Sequence, residues 1–202
     1  MSDPYVYPGT NILINKAGLH TQEAFDPFER VMTFARLAEP LPDIPMTYEG
    51  YKALHHHIFQ DVFPWAGQSR TVALSKGETF FGPPRYVDSE MTKRFHLLEH
   101  ERHLQHLLPE DFAARAAEHL NEINAIHPFR EGNGRTQRLF LEVLAAQAGH
   151  AIRGKDIHPE PWNDASIQGF QGNHRPLSAL ILSGILEQTR SHAQDHGHEQ
   201  ER

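Results

Sequence analysis

Most residue types able to do chemistry gather in one stretch, HPFREGNGRTQR at positions 127–138. Pro128 biases His127 away from the α region, so its imidazole is presented where a helix stops and a loop begins. Gly132 and Gly134 let backbone N–H groups turn inward at a tight or left-handed bend, and the positive end of a following helix reinforces them; together they form an anion site. Arg135 and Arg138 are three residues apart on that helix, close enough to reach the same anion. Glu131 sets one carboxylate at the edge of this positive nest, where a Mg²⁺ shared with phosphate oxygens would need it. Phe129 reads as a structural anchor that buries its ring and fixes the loop. The set describes a polyphosphate held by amides and guanidiniums beside a histidine general base, the logic of phosphoryl-type transfer. It is not a P-loop, since no G-x-x-x-x-G-K-[ST] pattern occurs and no strand precedes the glycines.

Helices must position this stretch, and the periodicity predicts a mainly α domain. Asp26 followed by Pro27 reads as a cap and first turn, with Phe28, Val31, Met32 and Ala35 on one stripe. Thr47 is placed to cap a helix carrying Tyr51, Leu54, Ile58 and Phe59. PEDFAARAAEHLNEINAI lines Phe112, Ala116, Leu120 and Ile123 on one face and runs up to His127. Leu139, Val143 and Ala146 continue the pattern beyond the glycines, and Leu177, Leu180, Ile181 and Ile185 mark a last buried helix. The exception is RTVALSKGETFFGPP, which reads as a lone β-hairpin turning at Lys76-Gly77. Such a hairpin serves either as a structural flap or as a docking edge for another chain's backbone.

The composition of the chain narrows its chemistry. With 202 residues and 39% hydrophobic content it is expected to fold as one domain. The absence of cysteine excludes disulfides, thiol nucleophiles and thiolate metal sites. A formal charge of −7 argues against a general nucleic-acid binder. No apolar run is long enough to span a bilayer and the first residues lack a signal-peptide pattern, so a cytoplasmic location is expected.

Taken whole, residues 127–138 match the H-P-F-x-[DE]-G-N-G-R-x-x-R signature, and the chain resembles Fic-domain proteins. The resemblance extends to DPYVYPGTNILINKAGL, similar to the N-terminal arm of Fic toxins of bacterial toxin–antitoxin pairs, and to IFQDVFPWAGQSRTV, similar to the segment leading into the Fic flap. It implies a Fic fold, a helical bundle with one β-hairpin flap next to the active-site loop. The expected organisation is an arm at 1–24, a Fic domain at 25–190 with its flap at 71–82, and a polar, disordered tail at 191–202.

The implied activity is transfer of AMP from ATP to a Tyr, Ser or Thr hydroxyl of a target protein. Carried over residue by residue, His127 is the base and Glu131 binds Mg²⁺. Asn133 with the amides of Gly132 and Gly134 holds the α- and β-phosphates, and Arg135 and Arg138 hold the β- and γ-phosphates. The flap residues Leu74, Ser75, Lys76, Gly77, Glu78, Thr79 and Phe80 align the target backbone by strand addition. Retention of G-N-G favours adenylylation over phosphorylation.

Fic proteins are commonly restrained by a helix bearing [ST]-x-x-x-E-[GN], whose glutamate captures the second motif arginine, here Arg138. The chain lacks that pattern; Ser183 to Glu187 is followed by Gln188 and reads as part of a packing helix. The resemblance therefore implies a small antitoxin acting in trans. A type II topoisomerase such as DNA gyrase is the kind of target that related toxins modify. A catalytically silent Fic-fold binding module and an AMP-removing hydrolase are the competing readings. The triplet His55-His56-His57 reads as a partly exposed helix face, because consecutive helical residues splay by about 100° and share one ion poorly. Trp65 and Trp162 read as packing residues, with Trp162-Asn163 near a place where an adenine pocket could close, and the tail histidines 192, 196 and 198 as incidental.

Overall fold

The computed structural model describes residues 3–77 and 79–186. Glu78, the glutamate of the Ser183–Glu187 near-match and the polar tail lie outside the described residues. Six helices and one hairpin run in the order α1 (Gln22–Ala38), α2 (Tyr48–Phe59), β1 (Ser75–Lys76), β2 (Thr79–Phe80), α3 (Val87–His100), α4 (Pro109–Ile126), α5 (Asn133–Ala148) and α6 (Pro159–Phe170). A further helix, α7, covers 175–186.

The middle of the fold is α5, which packs against α2 and α4, while α1 lies on α2, and α3 and α6 flank α4. The helix α2 begins as its sequence predicts: the Thr47 hydroxyl accepts from the Gly50 N–H, and Tyr51, Leu54, Ile58 and Phe59 are fully buried. The prediction also holds for α4, which buries Phe112, Ala116, Leu120 and Ile123. Helix α5 departs from a one-sided stripe. Leu139, Phe140, Leu141, Leu144 and Ala145 are all buried, whereas Ala146 is exposed, because helices cover α5 on more than one side.

Helix α1 starts a turn before the expected Asp26-Pro27 boundary, with Thr21 at its N-cap and Pro27 inside it. Phe25 explains the extra turn. Its ring is buried within 6.1 Å of Phe63, and that burial offsets the N–H that Pro27 cannot donate. The stripe shifts accordingly: Phe25, Met32 and Leu37 face the core, and Val31 and Ala35 are exposed.

The N-terminal arm folds back on itself through a bridge between Val6 and Leu13. Asn15 fixes the bend, its amide donating to the carbonyls of Leu13 and Leu19. The hairpin is shorter than its sequence suggests, pairing only Ser75 with Phe80 and Lys76 with Thr79. Gly77, in the expected turn, has the positive φ of +59° that glycine tolerates.

Candidate active site

Two helix ends meet to form the site. At the C-terminus of α4, four carbonyls lack helical partners, and each finds a specific one. Ile123 O accepts from the His127 N–H at 2.9 Å, Asn124 O from His127 Nδ1 at 3.2 Å, Ala125 O from the Gly82 N–H at 2.9 Å and Ile126 O from Arg70 Nη2 at 3.0 Å. His127 itself adopts the left-handed region, φ +54° and ψ +68°, which turns its side chain back over the helix end.

This geometry decides the histidine's chemistry. A carbonyl can only accept, so Nδ1 carries the proton and Nε2 keeps its lone pair. Burial pushes the imidazole pKa down to about 4; the bond to Asn124 opposes the shift, and Arg70 and Lys76 add to it. His127 is therefore neutral near pH 7 with one basic nitrogen available. Phe81 stacks on its ring at 3.8 Å between centroids and 18° between planes, holding it in place.

The second helix end is the N-terminus of α5. Gly132 is its N-cap at φ +84°, and a Cβ there would lie 2.3 Å from the Phe59 ring, so both conformation and space demand glycine. Gly134 differs from the expectation of an inward bend at both glycines: it sits within the first turn of α5, and its missing side chain meets nothing closer than Arg138 Nη1 at 3.7 Å. The amides of Asn133, Gly134 and Arg135 open the helix without carbonyls of a preceding turn to receive them.

The side chain of Asn133 does not point at this opening. It is buried, with Oδ1 accepting from the Phe129 N–H at 3.0 Å and Nδ2 donating to Phe129 O at 2.8 Å. The Asn133 side chain, expected from the resemblance to face the phosphates, instead clasps the loop, and only its backbone amide is left at the helix opening. Phe129 is the anchor its sequence position suggests: fully buried, it stacks between Tyr51 at 5.6 Å and His55 at 3.9 Å.

The histidine triplet is a partly exposed face, as its spacing suggests, but His55 lies on its inner side. It is fully buried, and only His56 is exposed. Its Nδ1 accepts from the Gly67 N–H at 2.8 Å, so Nε2 donates to Glu131 O at 3.0 Å and ties α2 to the motif loop. Burial is the main cause that lowers its pKa to about 3 and keeps it neutral. Its place four residues after Tyr51 and three before Ile58, on the apolar stripe, is the signal that could have revealed it.

The two helix ends border one cleft of about 650 Å³, walled on the far side by Trp162, Asn163, Ser166, Ile167 and Phe170. Although the chain is acidic, Lys76, Arg130, Arg135 and Arg138 face this cleft against Glu131. Their states differ. Arg130 is paired with Asp3 of the arm at 2.8 Å. Arg135 is held by Glu29 of α1 at 2.5 Å, lies 3.6 Å from Glu131 and sits over the Phe59 ring. Arg138 has no carboxylate partner among the described residues, and burial followed by the charge of Arg135 presses its pKa down. An anion in the cleft would relieve both penalties. Glu131 Oε1 accepts from the Gly132 N–H at 2.9 Å, while its carboxylate remains half exposed at the cleft edge.

Of the expected flap residues, Lys76, Gly77 and Thr79 line the cleft. Leu74 is half-buried in the stem, Ser75 and Phe80 face outward, and Glu78 lies outside the described residues. Sequence reading missed Arg70, Phe81 and most of the α6 wall, whose contacts with the loop are long-range and leave no local pattern.

The chain belongs to the Fic/DOC family, which matches residues 45–145. It is 44% identical to the probable protein adenylyltransferase y4lH of Sinorhizobium fredii over 90% of this chain and 95% of that protein. It is 34% identical to the probable protein adenylyltransferase Fic of Escherichia coli K12, over 92% and 93%. Among solved structures it resembles the BepC protein of Bartonella tribocorum, crystallised with bound AMPPNP, with a TM-score of 0.79 at 26% identity over 89% of this chain and 95% of that one. With relatives of this name along nearly its whole length, the chain is an enzyme of the protein adenylyltransferase class.

Proposed function

We propose that the enzyme transfers AMP from ATP to a Tyr, Ser or Thr hydroxyl of a target protein. The observation that carries this reading is a neutral His127, its Nε2 unprotonated, in the same cleft as the open N-terminus of α5 and an Arg138 that has no carboxylate partner among the described residues. The triphosphate lies along the first-turn amides, with its end against Arg138. Arg135, currently shared between Glu29 and Glu131, supplies a second cation at the same end. The α6 wall receives the base, where the exposed Ile167 and Phe170 offer apolar surface over the buried Trp162.

The flap sets the target hydroxyl above the α-phosphorus, using an unpaired strand edge of a two-residue ladder. His127 Nε2 takes the hydroxyl proton as the oxygen attacks the α-phosphorus. The bond from that phosphorus to the oxygen bridging it to the β-phosphorus breaks, and pyrophosphate leaves. Developing charge meets amides and guanidiniums already in position.

The donor set fits Mg²⁺: a single half-exposed carboxylate, Glu131, beside a phosphate site suits an ion that keeps waters and phosphate oxygens as its other ligands. Bound there, Mg²⁺ would neutralise phosphate charge. No group of three or more potential metal ligands occurs among the described residues, which is consistent with an ion brought in by the nucleotide.

The same reading makes the enzyme a toxin restrained by a small antitoxin whose [ST]-x-x-x-E-[GN] glutamate occupies Arg138. Lack of this pattern within the chain supports a partner that acts in trans. A type II topoisomerase such as DNA gyrase is the target class to try first. The test is incubation of the chain with labelled ATP, Mg²⁺ and a bacterial lysate, followed by mass spectrometry of the labelled band. Native chain should label a protein and His127→Ala should not. Arg138→Ala should lower labelling and also blunt inhibition by an antitoxin, and labelling unchanged in Arg138→Ala would remove the proposed phosphate role.

A further inference from the structure

Arg70 lies outside the motif, is 2% exposed and has no carboxylate partner among the described residues. A buried cation is costly unless its donors are satisfied, and this one is satisfied by backbone alone. Nε donates to His127 O at 2.6 Å, Nη1 to Val72 O at 2.5 Å, and Nη2 to both Gly82 O at 2.5 Å and Ile126 O at 3.0 Å. Its own N–H donates to Pro128 O at 2.8 Å.

The partners divide into two groups. Val72 and Gly82 are the two stems of the flap, whereas Ile126, His127 and Pro128 are three successive residues at the end of α4. One rigid planar group therefore joins the hairpin to the backbone of His127. A cation is also the charge that a helix C-terminus favours. Lysine could not reproduce the arrangement, because an ammonium is a point donor and cannot span carbonyls on two segments in a fixed plane.

We propose that Arg70 is a positioning residue for the transfer reaction, holding the flap stem and the His127 backbone in one register so that a docked hydroxyl meets Nε2 at a set distance. This rests on the reading of His127 as the base. The side-chain hydrogen bonds of Arg70 go to Val72, Gly82, Ile126 and His127 rather than to residues 131–138, so nucleotide binding and transfer should separate in its variants.

The experiment uses the full chain with Arg70→Lys and Arg70→Ala. Affinity for a non-hydrolysable ATP analogue with Mg²⁺ should stay within about twofold of native in Arg70→Lys, while label transfer at saturating ATP falls by about tenfold or more, the scale expected for a misplaced base. Guanidinium ion, well below denaturing concentration, should restore part of the transfer in Arg70→Ala. Nitrogen-15 histidine NMR, with the His127 signal identified by its loss in His127→Ala, should report the Nδ1–H tautomer in the native chain and a mixture in Arg70→Lys. Native-level transfer by Arg70→Lys overturns the proposal, as does loss of analogue binding in step with transfer. If Arg70→Ala fails to fold, Arg70→Lys and the NMR measurement decide. If the native chain labels nothing, the proposed activity fails separately, and an unchanged His127 tautomer in Arg70→Lys overturns the positioning role by itself.

Discussion

The two glycines of the motif look alike in sequence and do different work. Gly132 combines a φ of +84° with a Cβ position 2.3 Å from the Phe59 ring, so Gly132→Ala should cost about 2 kcal/mol or more, visible as a lower midpoint in urea. Gly134 has ordinary helical backbone and room for a methyl group, so Gly134→Ala should leave the fold intact and can add up to about 1 kcal/mol of helix stability. That methyl group would nevertheless stand between the first-turn amides and the cleft, and binding of an ATP analogue should weaken by about tenfold or more. Equal nucleotide affinity in Gly134→Ala and native chain would mean the phosphates lie elsewhere. Asn133 teaches a related lesson, since a polar side chain in a phosphate motif can be consumed by the loop that presents the amides.

Whether an element is legible in the sequence depends on how far along the chain its determinants lie. The ends of α2 and α4 were readable because their determinants are local: Thr47 caps three residues ahead, and Pro128 stops the helix that precedes it. The start of α1 was not, because a distant ring, Phe63, decides whether the turn before Pro27 forms. Arg70 was invisible for the same reason, its key partners lying 56 and 57 residues away. His55 stood in plain view but was masked by its neighbours: three adjacent histidines suggest one environment, while helical geometry gives them three. Replacing it with phenylalanine keeps the stack on Phe129 and removes both hydrogen bonds, leaving Glu131 O and the Gly67 N–H without partners. His55→Phe should lose about 2–4 kcal/mol of stability, measured by urea unfolding, and should lower transfer because the loop bearing Glu131 loosens.

At the scale of the molecule, two neutral histidines, His55 in the core and His127 at the cleft, link stability to pH. His55 and His127 are depressed to about 3 and about 4, whereas the unfolded chain protonates histidine near 6.5. Their contribution is fully present above pH 6.5 and is lost as pH falls toward those values, because below 6.5 the unfolded state binds more protons. Each residue can account for on the order of a few kcal/mol by the bottom of that range. Thermal midpoints should be flat from pH 7 to 8 and should decline steadily below pH 6.5, more shallowly in His55→Phe once its lower baseline is subtracted. A midpoint independent of pH from 7 down to 4 would contradict the neutral buried assignment.

The whole arrangement, with base, amides, guanidiniums and flap around one cleft, makes a claim about which phosphorus is attacked. Parallel reactions with ATP labelled at the α-phosphorus and ATP labelled at the γ-phosphorus, each with Mg²⁺ and bacterial lysate, test it most directly. The account predicts protein-bound label from the α position alone, with pyrophosphate released, and no label when His127 is alanine. Label retained from the γ position, or equal labelling by His127→Ala, would contradict it.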